Sequence, residues 1–343
     1  MREVKSMLEK RFMVSLMLMV SMFLTVSVHA DITGPGQPTS GPGGSDYGTF
    51  TGITSETRGA GINKYIIYEP TPKSADPLPV IAFLHGYNRF PNPAPLVKFI
   101  THLVKKGNIV IWPQYMVWFS LPENFAPNAG NAIRAALDHI IGDSSHTQPA
   151  TDNGEIKWAL IGHSAGGITA ANIAATYDDY DLDPPLALTC LAPGRGREPE
   201  LPIPIEDYGN IPSEIKMLII IGNQDNAAKD HGKYIWDNAP QIPDDQKDWL
   251  LLKTDDHGTL DGSQILVADH YAPLANYTLP EDAFDWYGYW KWSTALCNFA
   301  FYGTDEDYAL GGTELQRFMG TWSDGVDVTQ PEVTDYVNWQ LQE

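Results

Sequence analysis

The 343 residues suffice for one large domain or two small ones, and the 43% that are hydrophobic exclude a largely disordered chain. A net charge of −21 at pH 7 repels nucleic-acid phosphates and anionic membranes, so neither is an expected partner. Two cysteines, Cys190 and Cys297, are too few for a disulfide scaffold, and their apolar settings suit separately buried thiols at least as well as a bridge.

The chain opens with Arg2, Lys5, Lys10 and Arg11, continues in an apolar run over 12–28, and reaches small residues at Val28 and Ala30. That order is the pattern of a secretory signal peptide cut near Ala30. The expected location is therefore extracellular or periplasmic, without stable membrane insertion after cleavage. An uncleaved anchor is the alternative, because 17 apolar residues lie near the lower limit for spanning a bilayer. Residues 31–48 are almost all Gly, Pro, Ser and Thr, a composition that predicts a flexible linker.

From Phe50 the sequence alternates between strands and helices. Strands are predicted at 62–70, 78–86 and 108–115, with helices at 94–107 and 128–142. The stretch Lys157-Trp-Ala-Leu-Ile-Gly-His-Ser164 is a further strand, followed by a small-residue helix over 166–177. Apolar runs at 186–194, 215–222 and 248–255 are of strand length. Continuous apolar strands alternating with helices predict a mostly parallel sheet of about eight strands, covered on both faces. Ligand sites in such sheets lie at the carboxyl ends of the strands, where His85, Ser164, Asp225 and His257 fall.

Gly162-His-Ser-Ala-Gly166 fits Gly-x-Ser-x-Gly between a strand and a helix. A sharp strand-to-helix turn lifts the serine hydroxyl above the sheet, and only glycine lets the neighbouring backbone pass so closely. A serine needs a base, and the base needs an orienting acid. Asp225, after the run ending at Gly222, is the expected acid. His257, just past the end of a strand, is preferred as the base, with His270 as the alternative. The N–H groups of Ala165 and Tyr87 are the expected oxyanion donors. His85, Gly86, Tyr87 and His163 are assigned to substrate contact, with the His163 ring directed toward the packing. His102, His139, His146 and His231 have no motif context and read as surface or helix residues.

With these residues placed, the chain resembles secreted α/β-hydrolases over about residues 50–302. It is similar to cutinase-like polyester hydrolases, the platelet-activating-factor acetylhydrolase type, and chlorophyllase and dienelactone hydrolase relatives. The likeness rests on "LHGYN", "GHSAGG", "IIIGNQD" and a histidine in "DDHG" or "ADHYAP". It implies the α/β-hydrolase fold and a serine esterase acting through an acyl-enzyme. Gly194 stands where polyester hydrolases carry Trp after Pro, which argues against an aromatic clamp. Serine at the elbow argues against a dienelactone hydrolase, which would carry cysteine, and a dehalogenase, which would carry aspartate.

A proline-rich segment between Asp178 and Ile215 is expected to border the site without forming a large lid. The aromatic helix at 282–303 is expected to pack on the sheet, and residues 304–343 to form an extension on the same domain, with a hairpin near 318–328. The acidic stretches Thr304–Tyr308 and Thr254–Asp256 lack EF-hand spacing, and no phosphate loop, dinucleotide fingerprint or zinc signature is present, so neither cofactor nor metal is expected. The chain is expected to act as a monomer on a small-molecule or polymeric ester. The rival readings are an amidase or peptidase on the same triad and a catalytically silent binding protein.

Overall fold

Runs such as Val80–Leu84 and Ala187–Leu191 are buried at every position, the mark of strands covered on both faces. A computed structural model describes residues 32–197, 201–258, 265–274 and 280–334. The expected signal peptide lies outside them. Nine strands form the main sheet: β1 (Gly52–Arg58), β2 (Tyr65–Thr71), β3 (Val80–Leu84), β4 (Ile109–Pro113), β5 (Trp158–His163), β6 (Ala187–Leu191), β7 (Lys216–Gly222), β8 (Lys247–Leu252) and β9 (Glu332–Thr334). Their spatial order is β1-β2-β4-β3-β5-β6-β7-β8-β9. The run from β4 through β8 is parallel, and β1, β2 and β9 are antiparallel to their neighbours.

The principal helices are α1 (Val97–Lys105), α2 (Phe125–Gly142), α3 (Ala165–Ala175), α4 (Lys229–Asp237) and α5 (Trp290–Tyr302). Strand alternation assigns them to faces. Ala82 and Leu84 join a core cluster with Ala129 and Ile133 of α2 and Ile168 of α3. The intervening Phe83 points the other way and meets Phe99 of α1 edge-on, and Phe99 stacks on Trp290 of α5. The aromatic helix thus packs on the sheet, entered through a π-helical turn at Phe284–Tyr289.

Three features differ from the sequence reading. Residues 33–48 are not a loose linker. The buried His102 of α1 hydrogen-bonds Pro42 O through Nε2 (2.8 Å) and Tyr47 Oη through Nδ1 (3.1 Å), and Lys106 Nζ donates to Gly41 O and Asp46 O. Glycine and proline here let the backbone lie flat against α1, where polar side chains collect its carbonyls. Strand β1 is missing from the prediction because its exposed Thr, Ser and Arg and half-buried Glu hide the strand pattern. The last segment contributes β9 as an edge strand on β8, besides the hairpin bridge Thr321–Asp327. Cys190 and Cys297 are free, and burial pushes both thiols far above their ordinary pKa. Among the described residues no helix is long and apolar enough to cross a membrane.

Candidate active site

Strand β5 runs into α3 through Ser164, whose φ of 54° and ψ of −120° are strained for a side-chain-bearing residue. The turn is held from both sides: Ser164 N donates to Leu191 O at the end of β6 (2.9 Å), and Gly194 N donates to Ser164 O (3.0 Å). It also demands Gly166, where a Cβ would lie 2.3 Å from Leu84 O of β3. The serine side chain therefore stands over the carboxyl ends of β3, β5 and β6, beside the N-terminus of α3.

The hydroxyl faces His270. Ser164 Oγ and His270 Nε2 are 2.8 Å apart, and His270 Nδ1 is 2.8 Å from Asp225 Oδ2. With Nδ1 donating to the carboxylate, Nε2 presents its lone pair to the serine O–H. Asp225 is fully buried after β7, and its Oδ1 accepts from Ala227 N (2.8 Å) and Ala228 N (3.1 Å). Burial pushes the Asp225 pKa up, but the bond to His270, its charge and the two backbone donors outweigh this, so the carboxyl lies below its ordinary range.

A close backbone crossing delivers His270. A Cβ on Gly222 would lie 2.0 Å from Ala268 O, and that carbonyl accepts from Gln224 N (3.0 Å). The segment carrying His270 thus lies directly over the end of the strand that carries Asp225. His163, buried at the end of β5, hydrogen-bonds the carbonyl of His270 through Nε2 (2.8 Å). Burial lowers the His163 pKa to about 4, so near neutral pH the ring is uncharged and its Nε2 donates that bond. It holds the backbone of His270 as well as lining the cavity.

The preference for His257 is corrected. Its Nε2 pairs with Asp324 Oδ2 at 2.8 Å, its ring lies near Trp322, and its N–H donates to Asp255 Oδ1. Asp255 in turn accepts from Thr329 N and Oγ1, so the turn after β8 is fastened to the C-terminal segment, not to the site. The carboxylate that Nδ1 of His270 reaches is Asp225; His257 faces another one.

A cavity of about 370 Å³ opens over Ser164. Its walls include His85, Gly86, Tyr87, His163, Gly194, Arg195, His270, Tyr271 and Leu274. The Tyr87 ring packs near Phe125 and over Gly196. His85 is buried and stacked on Tyr115, and its Nδ1 donates to Gly86 O (2.7 Å), which shapes the turn bearing Tyr87. Burial depresses the His85 pKa to about 4, so it carries no charge near neutral pH. At Gly194 a Cβ would sit 3.6 Å from Ser164 Oγ and 3.9 Å from His270 Cε1, so the missing side chain leaves room above the nucleophile. The Gly196–Arg197 and Leu201–Pro202 strands pair as a short hairpin at the rim.

Residues 53–207 match the family described as chlorophyllase. The chain has the α/β-hydrolase fold. The match runs from β1 of this hydrolase past its elbow and stops before Asp225 and His270. No curated protein matches the hydrolase. The histidine that sequence reasoning placed second had one usable signal, Gly222, which in an apolar run of isoleucines marks a close backbone approach.

Proposed function

We propose that this α/β-hydrolase is a secreted serine esterase that cleaves carboxylic esters through an acyl-enzyme. The reading is carried by the unbroken hydrogen-bond line Ser164–His270–Asp225 at the mouth of the cavity. Ser164 Oγ attacks the ester carbonyl while His270 Nε2 takes its proton. Asp225 keeps the ring in the tautomer that can accept and stabilises the imidazolium that forms. The carbonyl oxygen becomes an oxyanion, received by the N–H groups of Ala165 and Tyr87. Ala165 is the first residue of α3, where the N–H has no intrahelical acceptor. Each such donor is worth about 3 kcal/mol in the transition state. His270 then protonates the departing alcohol, a water enters, and the same proton cycle releases the acid. None of these steps requires a cofactor.

The cavity volume suits a small or medium ester, or one end of a polymer chain lying across an open mouth. In this reading residues 1–30 are removed on export, 49–303 form the catalytic domain, 304–343 pack on it, and the mature enzyme is a monomer. A fluorophosphonate probe tests the nucleophile. It is expected to label the wild type stoichiometrically and to leave Ser164→Ala unlabelled. A folded wild type that stays unlabelled would contradict the proposal and favour a silent binding protein.

A further inference from the structure

Far along the sheet from the elbow, three residues distant in sequence converge. Glu56 lies on β1, His139 in the last turn of α2, and His146 four residues beyond that helix. His139 Nε2 and His146 Nε2 face one another at 3.2 Å. Glu56 Oε1 is 3.3 Å from the first, and Glu56 Oε2 is 3.3 Å from the second. Each ring nitrogen thus stands 3.2 to 3.3 Å from the other ring and from one oxygen of the carboxylate, and one ligand atom from each of the three residues lies within 4.8 Å of the other two. Ligands bonded at about 2.0–2.1 Å to a tetrahedral zinc ion stand about 3.3 Å from one another.

The surroundings are those of a metal ligand set. His146 is buried, and its Nδ1 is 2.7 Å from Glu69 Oε2. The other oxygen of Glu69 accepts from Thr147 N at 2.6 Å, so this carboxylate is fixed. A carboxylate behind Nδ1 holds the proton there and turns the Nε2 lone pair toward His139 and Glu56, which is how outer groups orient zinc-binding histidines. Arg58 bonds Glu56 Oε1 and leaves Oε2 directed at His146. Two imidazoles with one carboxylate suit zinc; calcium and magnesium prefer all-oxygen shells.

We propose that Glu56, His139 and His146 bind one Zn(II) ion, with water in the fourth position. Glu69 orients His146. The ion fastens the β1 edge of the sheet to the end of α2, and its role is structural, because none of the three residues lines the cavity over Ser164.

The test uses tag-free protein stripped with a chelator and reloaded with zinc chloride, with free metal removed by gel filtration. Metal analysis is expected to find one zinc per chain. Thermal unfolding is expected to move up by about 3 °C or more at saturating zinc. Co(II) in place of zinc should show the visible bands of a four-coordinate ion. Glu56→Gln and His139→Gln should each abolish these effects while ester hydrolysis stays at the wild-type rate. Reloaded protein holding no zinc, with unfolding unmoved, overturns the proposal and leaves only a proton shared between the two rings. A zinc-dependent shift that survives in both variants overturns it equally, because the ion would then sit elsewhere.

Discussion

Ser164, His270 and Gly194 meet within one van der Waals shell, and the empty space above them is set by the residue that lacks a side chain. A Cβ at position 194 would make ordinary contact with Ser164 Oγ, so alanine fits, whereas a branched chain would fill the volume a substrate's acyl group needs. Gly194→Leu is therefore expected to lower kcat/KM for p-nitrophenyl butyrate at least ~10-fold, a barrier increase of about 1.4 kcal/mol, while thermal unfolding stays close to wild type. Unaltered kinetics across a chain-length series would show that acyl groups bind elsewhere. At this scale the nucleophile was legible because Gly-x-Ser-x-Gly encodes a backbone requirement, namely that Gly166 passes against Leu84 O. Asp225 was legible because it follows a strand at a fixed place in the order. The base was not, because both candidates follow β8 and only three-dimensional crossing at Gly222 separates them. His139 and His146 gave no local signal either, since their partner Glu56 lies more than eighty residues earlier.

At the scale of elements, the C-terminal segment is wired to β8 by a half-buried carboxylate. Asp248 Oδ2 accepts from Gly311 N (2.7 Å) and Gln316 Nε2 (2.9 Å). Burial raises the Asp248 pKa to about 6, against the partial relief of those two donors. A carboxyl whose folded pKa is raised holds its proton in the native state after the unfolded chain has released it. Its contribution is fully present below the unfolded pKa, near 4, and is lost as pH rises through 6. Asp248→Asn keeps an oxygen for both donors and does not titrate. Relative to this variant, the wild type should lose roughly 2–3 kcal/mol of unfolding free energy between pH 4 and pH 7, read from urea melts at each pH. Parallel pH profiles would contradict that account. The central strands were readable because continuous apolar runs identify strands buried on both faces. The edge strands β1 and β9 were not, because an exposed edge carries no hydrophobic period and depends on its neighbour for definition.

For the whole molecule, the buried core explains how the chain holds two unpaired thiols. Cys190 lies in β6 with its Sγ near Gly167 O, and Cys297 lies inside α5. Ellman titration is expected to find two thiols in denaturant and none in the native protein, with thermal unfolding indifferent to reductant. No thiol in denaturant would show a bridge that contradicts this arrangement. Which imidazole serves the elbow is measured most directly by paired kinetics on His270→Ala and His257→Ala. With p-nitrophenyl butyrate, His270→Ala should lose at least about 10³-fold in kcat, and His257→Ala should remain within a few fold of wild type. An inactive, folded His257→Ala beside an active His270→Ala would contradict the account.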